Sequence, residues 1–206
     1  MSWYEADQLD GNWFANMDNP QDNPQPPTIV PEDWDDFVKF IGQHREEIAG
    51  GGFDFRIERD WASSLTDEDL LLLVQHCPSS RLTIASAARS LSVLEVLSLD
   101  ESAAVREAVA DNVRTSSEIL HTLSADSVSA VRMAVAENNN VTVEDLESLS
   151  TDSVNFVRWG VAHNEKTPSE VLEPLVKDPD GYVRDEAKRN PNAAKRGFWS
   201  RMLGKS

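Results

Sequence analysis

A 26-residue period running from Asp100 to about Asn190 constrains this chain more than any other feature. Val105-Arg106, Val131-Arg132, Val157-Arg158 and Val183-Arg184 recur at that spacing. Asp100, Asp126, Asp152 and Asp178 precede each dipeptide by five residues, and Asn112, Asn138, Asn164 and Asn190 follow it by seven. Leu94, Leu120, Leu146 and Leu172 form one further column, and Leu97, Leu123, Leu149 and Leu175 another. Self-similarity at a period of this size marks a stacked repeat array, in which each unit buries its apolar face only against its neighbours.

Each full unit fits two short helices. The first begins near the Asp and carries an i, i+4 apolar pair, as in Val105/Val109, Val131/Val135 and Val157/Val161. That spacing puts the pair on one face, and Ala108, Ala134 and Gly160 between them permit close helix contact. The second has start signals of its own. Thr115-Ser116-Ser117-Glu118 and Thr167-Pro168-Ser169-Glu170 read as capping boxes, the latter with Pro at its first helical position, and Thr142-Val143-Glu144-Asp145 as a weaker version. The two Leu columns then point into a shared core. A degenerate copy precedes Asp100, with Ser79-Ser80 where Val-Arg is expected. In the fourth copy Glu186 and Lys188 replace small residues, as suits a terminal, solvent-facing unit.

The columns D-x-x-x-x-V-R-x-x-V-A-x-N and L-x-x-L over residues 79–192 resemble the leucine-rich repeat variant family. The third Leu of an ordinary leucine-rich repeat is missing, since that column reads Leu99, Ala125, Thr151, Lys177. The resemblance implies an all-α, right-handed solenoid of alternating α and short 3-10 helices. Some members carry a cysteine-rich iron–sulfur segment. Cys77 is the only cysteine here, so four ligands cannot be supplied, and no cofactor is expected.

The flanks differ in character. Residues 1–30 read as a disordered acidic head rich in Asn, Asp, Gln and Pro, interrupted by the aromatic pairs Trp3-Tyr4 and Trp13-Phe14. Those pairs either dock on a partner or fold back on the array. Residues 31–78 read as a mostly helical N-terminal cap, an independent binding domain being the alternative. Its first helix spans 31–49, with Trp34, Phe37, Val38, Ile41 and Ile48 as an apolar stripe and Gly50-Gly51-Gly52 as its stop. Phe53 to Ile57 alternates like a strand, and Thr66 caps a further helix. Residues 193–206 form a basic amphipathic segment, in which Phe198, Trp199, Met202 and Leu203 share a face beside Arg201 and other bases.

Charge excludes one class of function. The chain holds 36 acidic and 19 basic residues, net −17, and phosphate binding needs clustered Lys and Arg. A nucleic-acid groove is therefore not expected, and a helical-repeat enzyme acting on nucleic acid has the wrong sign. Asp100, Arg106, Asp126, Arg132, Asp152, Arg158, Asp178 and Arg184 read as structural, each Arg pairing with an Asp of its own or an adjacent unit: a reaction needs one site, whereas a stack needs the same contact in every unit. The Asn column reads as a loop device tolerant of left-handed geometry. His44, His76, His121 and His163 lack ligand spacing, so no metal is expected, and no phosphate loop or Ser elbow occurs.

One set of positions breaks the monotony. Before each Val-Arg stand Ala104, Ala130, Phe156 and Tyr182, and after it Glu107, Met133, Trp159 and Asp185. Phe156, Trp159 and His163 fall at i, i+3, i+7, with Tyr182 one unit along and Met133 one unit back. Aromatics gathered on a repeat surface are typical binding anchors, the alternative being that they pack beneath the C-terminal segment. The reading is a non-enzymatic, cytoplasmic scaffold or adaptor that binds a protein partner with a basic region. An acidic decoy of a nucleic-acid-binding protein and an adaptor recruited to a membrane surface by residues 193–206 are the alternatives. Nothing in the sequence fixes oligomeric state.

Overall fold

The computed structural model describes residues 34–51, 57 and 59–193, and every regular element among them is a helix. The acidic head with Trp3, Tyr4, Trp13 and Phe14 lies outside the described residues, as does the tail with Phe198, Trp199, Arg201, Met202 and Leu203. The chain separates into two compact units, Met1–Ser80 and Arg81–Ser206.

In the first unit, α1 (Trp34–Gln43) and α2 (Arg45–Ala49) replace the single helix expected over 31–49. The break falls at His44, whose backbone leaves the helical region (φ −113°, ψ 21°) and whose ring stacks on Phe40 at 4.2 Å. The buried stripe is Phe37, Phe40, Ile41 and Ile48; Val38 is 41% exposed, one step off the face that the i, i+3, i+4 rule selects. Gly51 takes a positive φ of 78° just past the end of α2, a conformation that favours Gly. Phe53 to Arg56 lie outside the described residues. Ile57 is buried and α3 (Arg59–Ala62) follows. Thr66 caps α4 (Asp67–His76), accepting from Asp69 N at 3.2 Å and donating to Asp69 Oδ2 at 2.6 Å. Arg45 pairs with Glu68 at 2.8 Å and with Asp69, which fastens α2 to α4. A 3-10 turn, Pro78–Ser80, ends the unit.

The second unit is the repeat array. It contains α5 (Arg81–Ala87), α6 (Leu91–Leu97), α7 (Ala103–Asp111), α8 (Ser117–Ser124), α9 (Ser129–Glu137), α10 (Val143–Leu149), α11 (Asn155–His163), α12 (Ser169–Leu175) and α13 (Gly181–Arg189). The first helices of successive units pack in series, α5 on α7, α7 on α9, α9 on α11 and α11 on α13. The second helices form a parallel layer in which α8 meets α10. Between the layers lie the Val pairs and both Leu columns, all buried. Each fully buried Leu contributes on the order of 1.5–3 kcal/mol, so this spine outweighs the weak helix-forming tendency of segments only seven to nine residues long. Gly160 of α11 faces Ala136 of α9; a Cβ there would lie 3.2 Å from that of Ala136.

The second helices are α-helical, not the 3-10 turns that the family likeness implies. Two of them are capped by side chains. Ser116 and Thr142 accept hydrogen bonds from Ile119 N and Asp145 N, and Leu120 N and Leu146 N donate back to Ser116 O and Thr142 O. At α8 this displaces the expected capping box by one residue, from Thr115 to Ser116. Thr115 and Thr167 are not caps but fully buried side chains whose hydroxyls donate to Val109 O and Val161 O, 2.5 and 2.6 Å away. In the intervening unit Val141 occupies that place with no hydroxyl to satisfy. Pro168 stands at the N-cap of α12 rather than at its first helical position. The box read as weakest, Thr142 with Asp145, is the one that closes fully, since Thr142 Oγ1 also donates to Asp145 Oδ2 at 2.7 Å.

The Asn column does different work from that expected. Asn112, Asn138, Asn164 and Asn190 are extended (φ −56° to −69°), and no non-Gly residue among those described has positive φ. Each side-chain amide reaches back into the preceding unit. Asn138 Nδ2 donates to Ala110 O at 2.6 Å and to Asn112 O at 3.1 Å, while its Oδ1 accepts from Asn140 N at 2.8 Å. Asn164 repeats this on Ala136 and Asn138, and Asn190 on Ala162 and Asn164. The carbonyls left open at the end of one first helix are thus closed by the next unit.

Candidate functional site

Two groups of side chains invite a functional reading: the Asp/Arg ladder along one edge of the array and the aromatic face on its first helices.

In the ladder Arg106, Arg132 and Arg158 each hold two units together. Arg106 Nε and Nη2 donate to the two carboxylate oxygens of Asp126, at 2.6 and 3.1 Å, while Nη1 donates to Asp100 O at 2.7 Å. Arg132 binds Asp152 and Asp126 O in the same way, and Arg158 binds Asp178 and Asp152 O. Each Asp also accepts the N–H two residues on, at 2.8 Å from Val128, Val154 and Asp180, which sets the turn into the first helix. Arg184 donates to the carbonyls of Asp178 and Pro179. Twenty residues beyond it stands Gly204, so the chain supplies no acid for a further rung.

The degenerate first copy carries a rung as well. Arg81, one residue away from Ser79-Ser80, reaches Asp100 Oδ2 at 3.3 Å, so a strict 26-residue register misses it by one position.

The ladder's chemistry is that of mutual neutralisation. Hydrogen bonding to Arg106 holds the Asp126 carboxyl below its ordinary range, and Arg158 does the same for Asp178. At Asp152 burial pushes upward, but the bonds from Arg132 and the Val154 N–H outweigh it and the net shift is downward. Carboxylates engaged in this way are poor general bases and offer no open coordination site.

The aromatic face has another character. Phe156 and Tyr182 occupy the same register position on the adjacent helices α11 and α13, and they are 65% and 81% exposed. Their backbones are fixed. Asp180 caps α13 by accepting from Tyr182 N (2.9 Å) and Val183 N (3.2 Å), and Asn155 Nδ2 bridges from α11 to Asp180 at 2.8 Å. Those bonds, Asn155 foremost, hold the Asp180 carboxyl down. Trp159 is half-buried and stacks on His163, with ring centroids 4.8 Å apart and planes 10° off parallel. His163 Nδ1 is bonded to Glu186 of the next unit at 2.8 Å. Met133 is half-buried at the position equivalent to Trp159. Phe156, Trp159, His163, Tyr182 and Met133 therefore lie on one face of three consecutive first helices, α9, α11 and α13.

Two features escaped the sequence reading. Asp145 sits where Ile119 and Val171 stand in the neighbouring units, and it is 2% exposed. It is satisfied there by His121 Nδ1 at 2.7 Å, Thr142 Oγ1 at 2.7 Å and Ser124 Oγ at 3.4 Å. The same bond pushes the His121 imidazole up. Asp111 and Glu137 are the other feature. They precede His163 and Arg189 in a column whose charge changes sign along the array, and reading that column downward would have found them.

Among the described residues no group of His, Cys, Asp and Glu is arranged to hold a metal ion, and no helix is long and apolar enough to cross a membrane. No family model and no curated protein matches the chain. A solved structure described as a leucine-rich repeat variant with a novel repetitive protein structural motif is similar over 82% of this chain and 81% of that one, at 21% identity and a TM-score of 0.34. A likeness at that score carries no argument beside the chain's own contacts.

Proposed function

We propose that the chain is a non-enzymatic scaffold or adaptor that binds a protein partner on the face formed by α9, α11 and α13. One observation carries this reading. Phe156 and Tyr182 stand well exposed on adjacent helices tied together by the Asn155–Asp180 bond, at a position where the two preceding units have only Ala104 and Ala130. Exposed aromatics on a rigid support lose little conformational freedom when covered, which is what makes them effective anchors.

Two further points support it. The ladder carboxylates are each taken up by the Arg of the preceding unit, so they do not present a free phosphate-like array, which disfavours the decoy reading. The negative charge of the chain steers a basic partner region toward it. Kinship with the leucine-rich repeat variant family, read from the Asp, Val-Arg, Asn and Leu columns, belongs to the same proposal, as does a soluble compartment.

The test is a photo-crosslinking residue at Tyr182 and, in a separate protein, at Val113, which is also well exposed but lies in the turn between the two helices of a unit. In cells, position 182 is expected to give a discrete cross-linked band that position 113 does not. Phe156→Ser should remove that band while shifting Tm by no more than about 2 °C, since a surface substitution costs within roughly 0.5 kcal/mol. Equal cross-linking from both positions would contradict the proposal. So would a band that survives Phe156→Ser.

A further inference from the structure

The Asp/Arg ladder stops at α13 with one half of a rung in place. Arg184 Nη1 donates to Asp178 O at 2.6 Å and to Pro179 O at 2.9 Å. Arg106 Nη1 is anchored in the same way, on Asp100 O and Glu101 O at 2.7 and 3.1 Å. In Arg106, Arg132 and Arg158 that anchor leaves Nε and Nη2 to take both oxygens of an Asp from the next unit. The same edge of Arg184 meets no carboxylate among the described residues. A guanidinium pinned at Nη1 and open at Nε and Nη2 is a preformed fork for a carboxylate, and three other units of this chain show it holding one.

A further helix of the array's own kind does not suit this end. Ala110, Ala136 and Ala162 are fully buried, and Ala136 lies 3.2 Å from where a Cβ on Gly160 of the next unit would stand. Lys188 occupies that column on α13, exposed, and its length keeps a following helix from the same approach. It also sets a second cation one turn from Arg184, since its contact with Asp185 is exposed and 3.6 Å long and so contributes little. The ladder of a second copy offers no ligand, because Asp100, Asp126, Asp152 and Asp178 already hold Arg81, Arg106, Arg132 and Arg158. We infer that the C-terminal end of the array, at Arg184, is a binding site for an aspartate carboxylate presented by a turn of a protein partner. In the internal rungs each Asp also accepts the N–H two residues on, so the ligand is an Asp that turns its own chain and seats both oxygens on Nε and Nη2. This site is separate from the aromatic face, because Tyr182 and Arg184 lie about 200° apart around α13.

The experiment follows the arginine Nε–H signals of the 15N-labelled full chain by NMR during titration with a blocked peptide copying residues 124–130, which carries the Asp126 turn. The Arg184 signal is expected to move saturably toward those of Arg106, Arg132 and Arg158, which stay still because their carboxylates are already in place. Asp126→Asn in the peptide should raise Kd about tenfold, and Arg184→Lys in the protein should do the same, read from the backbone amides of 178–188. Added salt should weaken the binding steeply. An Arg184 signal that does not move, or that moves equally with the Asn peptide, would overturn the site. A signal that lies among the other three before any peptide is added would overturn the assignment to a partner, because a carboxylate of this chain would then fill the fork. None of these results touches the cross-linking at Tyr182, so the two readings fail separately.

Discussion

Asn138→Ala is expected to destabilise the protein by about 3 kcal/mol and to lower Tm by roughly 10 °C, while Asn139→Ala next to it changes stability by less than about 0.5 kcal/mol. The difference lies in where the amides point. Asn139 is exposed, whereas Asn138 is buried and makes three bonds, two of them to carbonyls of the preceding unit. Truncation leaves the buried Ala110 O without a partner, reduces Asn112 O to its one bond from Thr115 N and frees Asn140 N, an orphaned buried group costing on the order of 1–3 kcal/mol before relaxation. Because the lost bonds join two units, the unfolding transition should also broaden as the array begins to open at that junction. Thermal melts followed by circular dichroism give both quantities. Equal effects of the two substitutions would show that the Asn column is not a fastening between units.

The second large effect is expected at the ladder. Arg132→Met should cost about 2–3 kcal/mol at pH 7, a reduced form of the 3–5 kcal/mol typical of a fully buried pair, because Arg132 and Asp152 retain 15% and 9% of their side-chain exposure. Adding Asp152→Asn should restore most of the loss, since the carboxylate left behind is the main source of the cost and Asn can still accept the Val154 N–H. The pH dependence has a definite sign. The Asp152 carboxyl is depressed in the folded protein, so its contribution is present above the ordinary carboxyl pKa of about 4 and is lost as pH falls through the folded value. The gap in urea-unfolding free energy between Arg132→Met and the parent should therefore be widest near pH 7 and should narrow toward pH 3. A gap of constant size across that range would mean that the pair does not act through charge.

The architecture was legible because a stack repeats its solutions. Val105, Val131, Val157 and Val183 are buried alike, and so are the two Leu columns, so the period alone locates the core. Pairing of the Arg and Asp columns was expected, but the period could not say which unit's Asp each Arg takes, nor that the Asn column reaches between units. Arg106 bonds Asp126 twenty residues on, and Asn138 bonds Ala110 twenty-eight residues back. Neither offset can be read from a column of identical letters. Arg81 was hidden by a one-residue slip, and Thr115 by its likeness to a cap when its hydroxyl turns inward instead.

The candidate face was half legible. Phe156 and Tyr182 announced themselves as aromatics in an alanine column. Asp111 and Glu137 did not, because acidic residues are common in this chain and what sets these two apart is that burial pushes their carboxyls up. Asp145 was the least visible, being a charge at an apolar position whose partner His121 comes from the preceding unit.

The central claim, that equivalent positions recur at one constant step along the array, is tested most directly by pulsed electron–electron distance measurements between spin labels. Ala104, Ala130 and Tyr182 are exposed and share one register position, so cysteines at 104 and 182, or at 130 and 182, in a Cys77→Ala background report three steps and two. With neighbouring helices about 9 Å apart, the account predicts narrow distributions near 27 and 18 Å. Distances that do not grow in proportion to the number of units would contradict it.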